Sequence, residues 1–185
     1  AVGPRGYRVG MEPGLLVASP QMRDPNFTGT VVLLVQHSSQ GALGLVINRE
    51  APVKIRDVAT HLEMPGRDKA LLAPALWGGP VERSSGFVLY KGVCREGWTV
   101  TGIGVSPSRE RLAALIAAGS DFALCLGYAG WGPGQLDREV EEGSWVYVDA
   151  GAELVLECPV LDRYDRALAQ LGVSAKTLWM TPVNE

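Results

Sequence analysis

Apolar positions come as short unbroken runs over the first third of the chain and as spaced pairs further on, and the two patterns predict different elements. Thr30 to Gln36 (TVVLLVQ) is a continuous β-branched and aliphatic run, the pattern of a central strand buried on both faces. Gly14 to Pro20 (GLLVASP) predicts a shorter strand before it. The polar loop between them has Asp24-Pro25 and Gly29 as turn residues. After a polar turn, His37 to Ala42, the run Leu43 to Asn48 (LGLVIN) completes a predicted hairpin of two buried strands. Helical spacing first shows at Val53, Ile55, Val58, Ala59 and Leu62, and Pro65-Gly66 stops that helix.

Gly78-Gly79-Pro80 is a strong break, and beyond it Gly86 to Tyr90 and Trp98 to Val105 read as two further strands. Ser106-Pro107 predicts a helix start, with Leu112, Leu115 and Ile116 on the buried face. Phe122 to Gly127 is another apolar strand, and it delivers the chain into GYAGWGPGQLDREVEEGSW (Gly127 to Trp145). That stretch reads as a glycine-rich loop, then a short acidic helix closed by Gly143, before Trp145 to Val148 returns as a strand. Glu153 to Cys158 fits strand or helix equally. Asp162 to Gly172 places Tyr164, Ala167, Leu168 and Leu171 on one helical face, with Gly172 as the stop. Strands and helices interleave, but the early strands form a hairpin and not βαβ units. The pattern therefore predicts an α+β (mixed α/β) domain with a mixed sheet.

Composition agrees. A chain of 185 residues, 46% apolar and 20% charged, fits one domain, and Gly 23 with Pro 12 suits many turns between short elements. Residues 1–13, rich in Gly, Pro and Arg and without period, read as a flexible lead-in to a single domain over 14–185. A formal net charge of −3 and scattered Lys and Arg give no long-range attraction for phosphate, so strong direct nucleic-acid binding is not expected. Cys94, Cys125 and Cys158 are far apart with no CxxC, the usage of a reducing compartment. The first residues carry no apolar signal region, and no stretch approaches the roughly 18 apolar residues of a membrane span. A cytoplasmic protein with no membrane partner is expected.

Candidate chemistry is sparse. His37 and His61 are the two histidines, with no cysteine at ligand spacing from either, so no metal is expected. No phosphate-binding GxxxxGK[ST] occurs, and Gly102-Ile103-Gly104 lacks the third glycine of a dinucleotide fingerprint, so no cofactor is expected. Ser106 resembles a nucleophile elbow only loosely, since Ser108 stands where glycine is required; a helix cap is the simpler role. Cys125, mid-strand, reads as core, whereas Cys158 beside Pro159 at a helix entrance leaves a redox-responsive role open. His37 and Asn48 emerge at strand ends but not at the same end of the hairpin, so they form no dyad. Tyr128, Trp131 and Gln135 sit among glycines at 127, 130, 132 and 134, which let the backbone approach a ligand or a neighbouring loop closely. Glu139 is the acidic-helix carboxylate of most interest.

Three ordered motifs, Val17 to Arg49, Gly78 to Tyr90 and Ala123 to Trp145, resemble the AlgH/YqgE family of bacterial proteins. The resemblance runs from about Gly14 to Leu178. It implies a cytosolic α/β protein with a large mixed sheet, in a family often labelled as transcriptional regulators and without an established biochemical activity. The family pattern falls on Asp24, His37, Asn48, Gly78, Gly79, Pro80, Gly127, Tyr128, Trp131, Gln135, Glu139 and Trp145, among others. Tyr90 stands where relatives commonly have histidine, and Asp137 where glutamate is usual. Residues and resemblance together give a candidate binding surface of Asp24, His37, Asn48, Tyr128, Trp131, Gln135 and Glu139. The expected function is non-catalytic binding or regulation through protein or small-molecule contacts. The alternatives are a hydrolase or transferase using His37 or Glu139 as acid–base, or a redox-responsive protein.

Overall fold

The structure is a computed structural model and describes residues 13–65, 69–149 and 151–170. Most of the lead-in, Gly66, and the helix stop at Leu171 and Gly172 lie outside the described residues. The strands are β1 (Leu15–Ala18), β2 (Val31–Ser38), β3 (Gly41–Val46), β4 (Glu50–Lys54), β5 (Pro74–Trp77), β6 (Val81–Lys91), β7 (Trp98–Val100), β8 (Ile103–Ser106), β9 (Ala123–Trp131) and β10 (Trp145–Val148). The helices are α1 (Ile55–His61), α2 (Arg109–Ala118), α3 (Gln135–Glu141) and α4 (Arg163–Ala169). The strands join into one large mixed sheet in the order β10-β1-β2-β3-β9-β6-β8-β7, with β4 and β5 as a side branch.

β9 is the spine. One edge pairs with β6 in antiparallel register, Phe87 opposite Cys125 and Val81 opposite Tyr128. The other edge pairs first with β5, in parallel, through Leu76 and Trp77, and then with β3, antiparallel, through Ala42, Leu43 and Gly44. Because β5 and β6 flank β9 on opposite edges, their connection Gly78-Gly79-Pro80 has to cross β9. It does so at Gly127 and Tyr128. A Cβ on Gly79 would sit 2.1 Å from the Tyr128 carbonyl carbon, and one on Gly127 would sit 2.4 Å from the Gly79 oxygen. Gly127 also has φ +81°, a conformation that side chains other than glycine's rarely adopt.

The sheet buries both faces. On one side Leu15, Val17, Leu33 and Leu45 pack with Leu89, Ile103 and Val105, under α4 and a π-helical turn at Glu153–Glu157. On the other, Leu16, Val32, Leu34 and Val46 pack with Trp131, Leu136 and Trp145 beneath α3. A third cluster joins α1 and α2 to Val88 and Leu124.

The central hairpin, α2, α3 and β10 stand where the pattern puts them, and four expectations change. The segment read as the first turn of a helix is strand β4, with helix only from Ile55; Pro52 fits because β4 pairs only with β5. Trp98 to Val105 is two strands around a turn at Thr101 and Gly102, both at positive φ. The cap of α2 is Ser108, whose hydroxyl accepts from Arg111 N, while Ser106 closes β8 and donates to Glu96. Most consequentially, the glycine-rich stretch is not a loop: Gly127 to Trp131 continues β9.

Candidate functional site

A tight polar cluster ties the end of β9 to α3. Glu139 Oε1 accepts hydrogen bonds from both Trp131 Nε1 and Trp145 Nε1, each at 3.0 Å. Its Oε2 accepts from Gln135 Nε2 at 2.9 Å, and Gln135 Oε1 accepts from Gly132 N at 3.0 Å. Phe27 stacks on Trp131 and meets the edge of Trp145, and the two indoles meet edge to face at 6.0 Å. Trp131 is buried, so it does not present the exposed anchor its flanking glycines suggest. A carboxylate that accepts from two indoles and an amide holds a structure together.

His37 lies beside this cluster. A register shift between Leu34 and Gln36 turns His37 to the face that carries Leu34, where it stands opposite Ala42 and under α3. His37 Nε2 is 3.2 Å from Asp137 Oδ1, and the side chain is 4% exposed. Its Nδ1 is buried with no hydrogen-bond partner among the described residues. Asp24 opens the neighbouring loop, its Oδ1 accepting from Asn26 N, and lines a shallow depression with Gln21, Glu139 and Ser144.

The remaining two candidates lie elsewhere. Asn48 clamps the loop before β2, its Oδ1 accepting from Val31 N and its Nδ2 donating to the Gly29 carbonyl. Tyr128 faces the opposite side of β9, where its hydroxyl donates to Glu82. That bond to a carboxylate raises the Tyr128 pKa above the usual phenol range. Asp24, His37, Trp131, Gln135 and Glu139 therefore gather around α3, and Asn48 and Tyr128 do not join them. The three cysteines are free and buried, and burial pushes the Cys125 thiol up to about 12.

A cavity of about 440 Å³ opens over β6 and β9, between α1 and α2. Its floor and walls are Gly86, Val88, Leu124 and Leu126 from the sheet, Val53 from β4, Val58 from α1 with Leu62 at its C-terminal cap, and Leu112 from α2. The polar groups at the mouth are Asp57, His61, Arg83, Ser84, Ser108 and Arg109. This volume lies in the range of about 300–1,000 Å³ typical of small-molecule sites, and the apolar lining with a few polar groups matches their usual chemistry. Sequence reasoning missed the site. Its residues come from β4, α1, β6, α2 and β9, and no local pattern links them: Val53, Val58, Leu62 and Leu112 read as the buried faces of two separate helices and Pro107 as a helix start, with nothing in the sequence to say that they line one cavity.

Among known proteins, residues 15–176 match the family model described as AlgH-like. A UPF0301 protein of Anaeromyxobacter dehalogenans strain 2CP-1 is 40% identical over 182 residues, covering 92% of each chain. One from Anaeromyxobacter sp. strain Fw109-5 is 41% identical over 178 residues and covers 89% of each. The solution structure of the AlgH protein from Pseudomonas aeruginosa superposes with a TM-score of 0.75 at 32% identity, over 94% of this chain and 95% of that one. A crystal structure of a Corynebacterium diphtheriae protein shares the fold at a TM-score of 0.67 and 23% identity, over 86% of each chain. Sequence motifs, family match and fold agree, and the chain belongs to the AlgH-like, UPF0301 family.

Proposed function

We propose that this protein is a non-catalytic binding protein with a regulatory role, acting in the cytoplasm, and that it takes a small molecule in the pocket between α1 and α2. The observation that carries this reading is the pocket itself: about 440 Å³, floored by Val88, Leu124 and Leu126 and reached through a polar mouth. The cluster around α3 supports a different role. Trp131 is buried and Glu139 already accepts three hydrogen bonds, so these residues fix the end of β9 and leave little to offer a partner. Within the pocket lining, Ser108 is committed to capping α2 and to Glu110, which favours binding over nucleophilic chemistry. Burial of all three thiols likewise weighs against redox response.

Gly86 supplies the test. It lies in β6 without positive φ, and the nearest atoms to a Cβ there would be Leu124 Cδ1 at 3.5 Å, Leu126 Cδ2 at 3.8 Å and the Cys125 carbonyl oxygen at 3.9 Å, all ordinary contacts. Gly86→Leu should fill the cavity without opening the fold. The wild-type protein should take up 1-decanol, seen as amide shifts of Gly86, Leu112 and Leu124 in NMR titration, and the variant should not. Equal shifts in both proteins, or none in either, would overturn the reading.

A further inference from the structure

We infer that the ligand of this pocket is a small amphiphilic anion, an apolar body carrying a carboxylate, and that Arg83 and Arg109 receive its charged end. This rests on the pocket being a ligand site and adds the chemistry of its occupant. The lining divides by polarity. Val88, Leu112, Leu124 and Leu126 belong to the buried side and call for hydrocarbon. The mouth carries two arginines and His61 against one carboxylate, Asp57. On a chain of net charge −3, two guanidiniums over an apolar cavity are a local excess of the opposite sign.

Neither arginine is held in a salt bridge among the described residues, although Arg109 feels the Glu110 carboxylate beside it on α2, which itself accepts from Ser108. Each arginine is exposed, and the ion pairs among the described residues are His37–Asp137 and Arg111–Glu96. Arg111, two residues further along α2, makes the contrast: it is spent on a bidentate contact with Glu96 at 2.8 and 3.0 Å. A guanidinium presents a fixed fork of donors that matches a carboxylate, and a carboxylate bound at the edge of an apolar wall is screened less than one in open water. Asp57 sits on the α1 side and is engaged by Lys54 N, so its charge disfavours a second acidic group deeper along α1 and leaves the arginine side for the head. The preferred occupant is one chain with one anionic end.

The discriminating experiment titrates the full chain with decanoate, 1-decanol and decyltrimethylammonium below their aggregation limits, following pocket amides by NMR. Decanoate should bind roughly tenfold tighter than decanol, the scale expected of one charge-assisted hydrogen-bonded pair. Decyltrimethylammonium should bind weakest. The double variant Arg83→Gln/Arg109→Gln, which loses no salt bridge among the described residues, should bring decanoate to the level of decanol and leave decanol binding unchanged. If decanol and decanoate bind wild type equally, the anionic head is wrong and the pocket reading survives. If none of the three perturbs the pocket, the pocket reading falls with it. Arginine-dependent binding to phosphatidylglycerol vesicles without binding of monomeric decanoate would overturn the small-molecule occupant in favour of a membrane surface.

Discussion

At Glu139 one carboxylate organises two tryptophans that are fourteen positions apart in sequence, and it does so as an acceptor. Removing it would leave two indole N–H groups in a mostly apolar cluster without their acceptor, each such loss costing about 1–3 kcal/mol when the group is buried. Glu139→Ala is therefore expected to destabilise the protein by about 2–4 kcal/mol in urea unfolding and to weaken the near-UV circular dichroism of the tryptophans. A change under about 0.5 kcal/mol, the size of an ordinary surface substitution, would show that the indoles find other partners. From sequence this residue stood out among four carboxylates, but its role was not legible. An acidic helix reads as solvated, and nothing local says that two indoles fold back onto it. His37 was harder still, because the register shift before Gln36 decides its face and a regular alternation would have placed it on the other side of the sheet.

At the scale of elements, the unbroken apolar runs were enough to find β1, β2 and β3, since a strand buried on both faces needs no other signal. Glycine misled. Gly127 and Gly130 read as loop because glycine usually marks turns, but at Gly127 it permits one backbone to pass over another: Gly78 and Gly79 lie against Gly127 and Tyr128 with no room for a Cβ on Gly78, Gly79 or Gly127. The sequence holds both glycine groups and cannot say that they touch. Gly127→Ala combines positive φ with a Cβ 2.4 Å from the Gly79 oxygen and should be severely destabilising, by more than about 3 kcal/mol, or yield no soluble protein. Gly29→Ala is the control. Gly29 has φ +70° and nothing within 4 Å of its missing Cβ, so the expected cost is only the roughly 1–2 kcal/mol of the left-handed conformation. Equal thermal melting shifts for the two variants would contradict the close approach.

Over the whole molecule, β9 pairs with β3, β5 and β6 and so joins the two parts of the sheet that lie on either side of it. The apolar cluster above it draws from β1, β2 and β3 and equally from β6, β7 and β8. Shared burial of this kind makes opening of one part without the other unfavourable. Amide exchange should consequently be slowest along Leu124–Leu126 and comparably slow in Val32–Leu34, both lost only in global unfolding. Exchange of the β1–β2–β10 side at a clearly lower free energy would mean that the sheet is two units. The fold class was legible in the mixture of hairpin and interleaved helices, whereas the spine was not, because long-range pairing leaves no trace in local periodicity. The same limit hid the pocket, whose lining is drawn from five elements.

The short bridge from β5 to β6 also has a meaning in time. β5 and β6 leave the ribosome before β9, yet each needs β9 on one edge, and the bridge between them already spans the gap that β9 will fill. Until the segment of β9 from Ala123 to Tyr128 has emerged, both strands carry an open edge, which leaves the nascent chain exposed to mispairing. The late arrival of one glycine-bearing strand closes both edges in a single event.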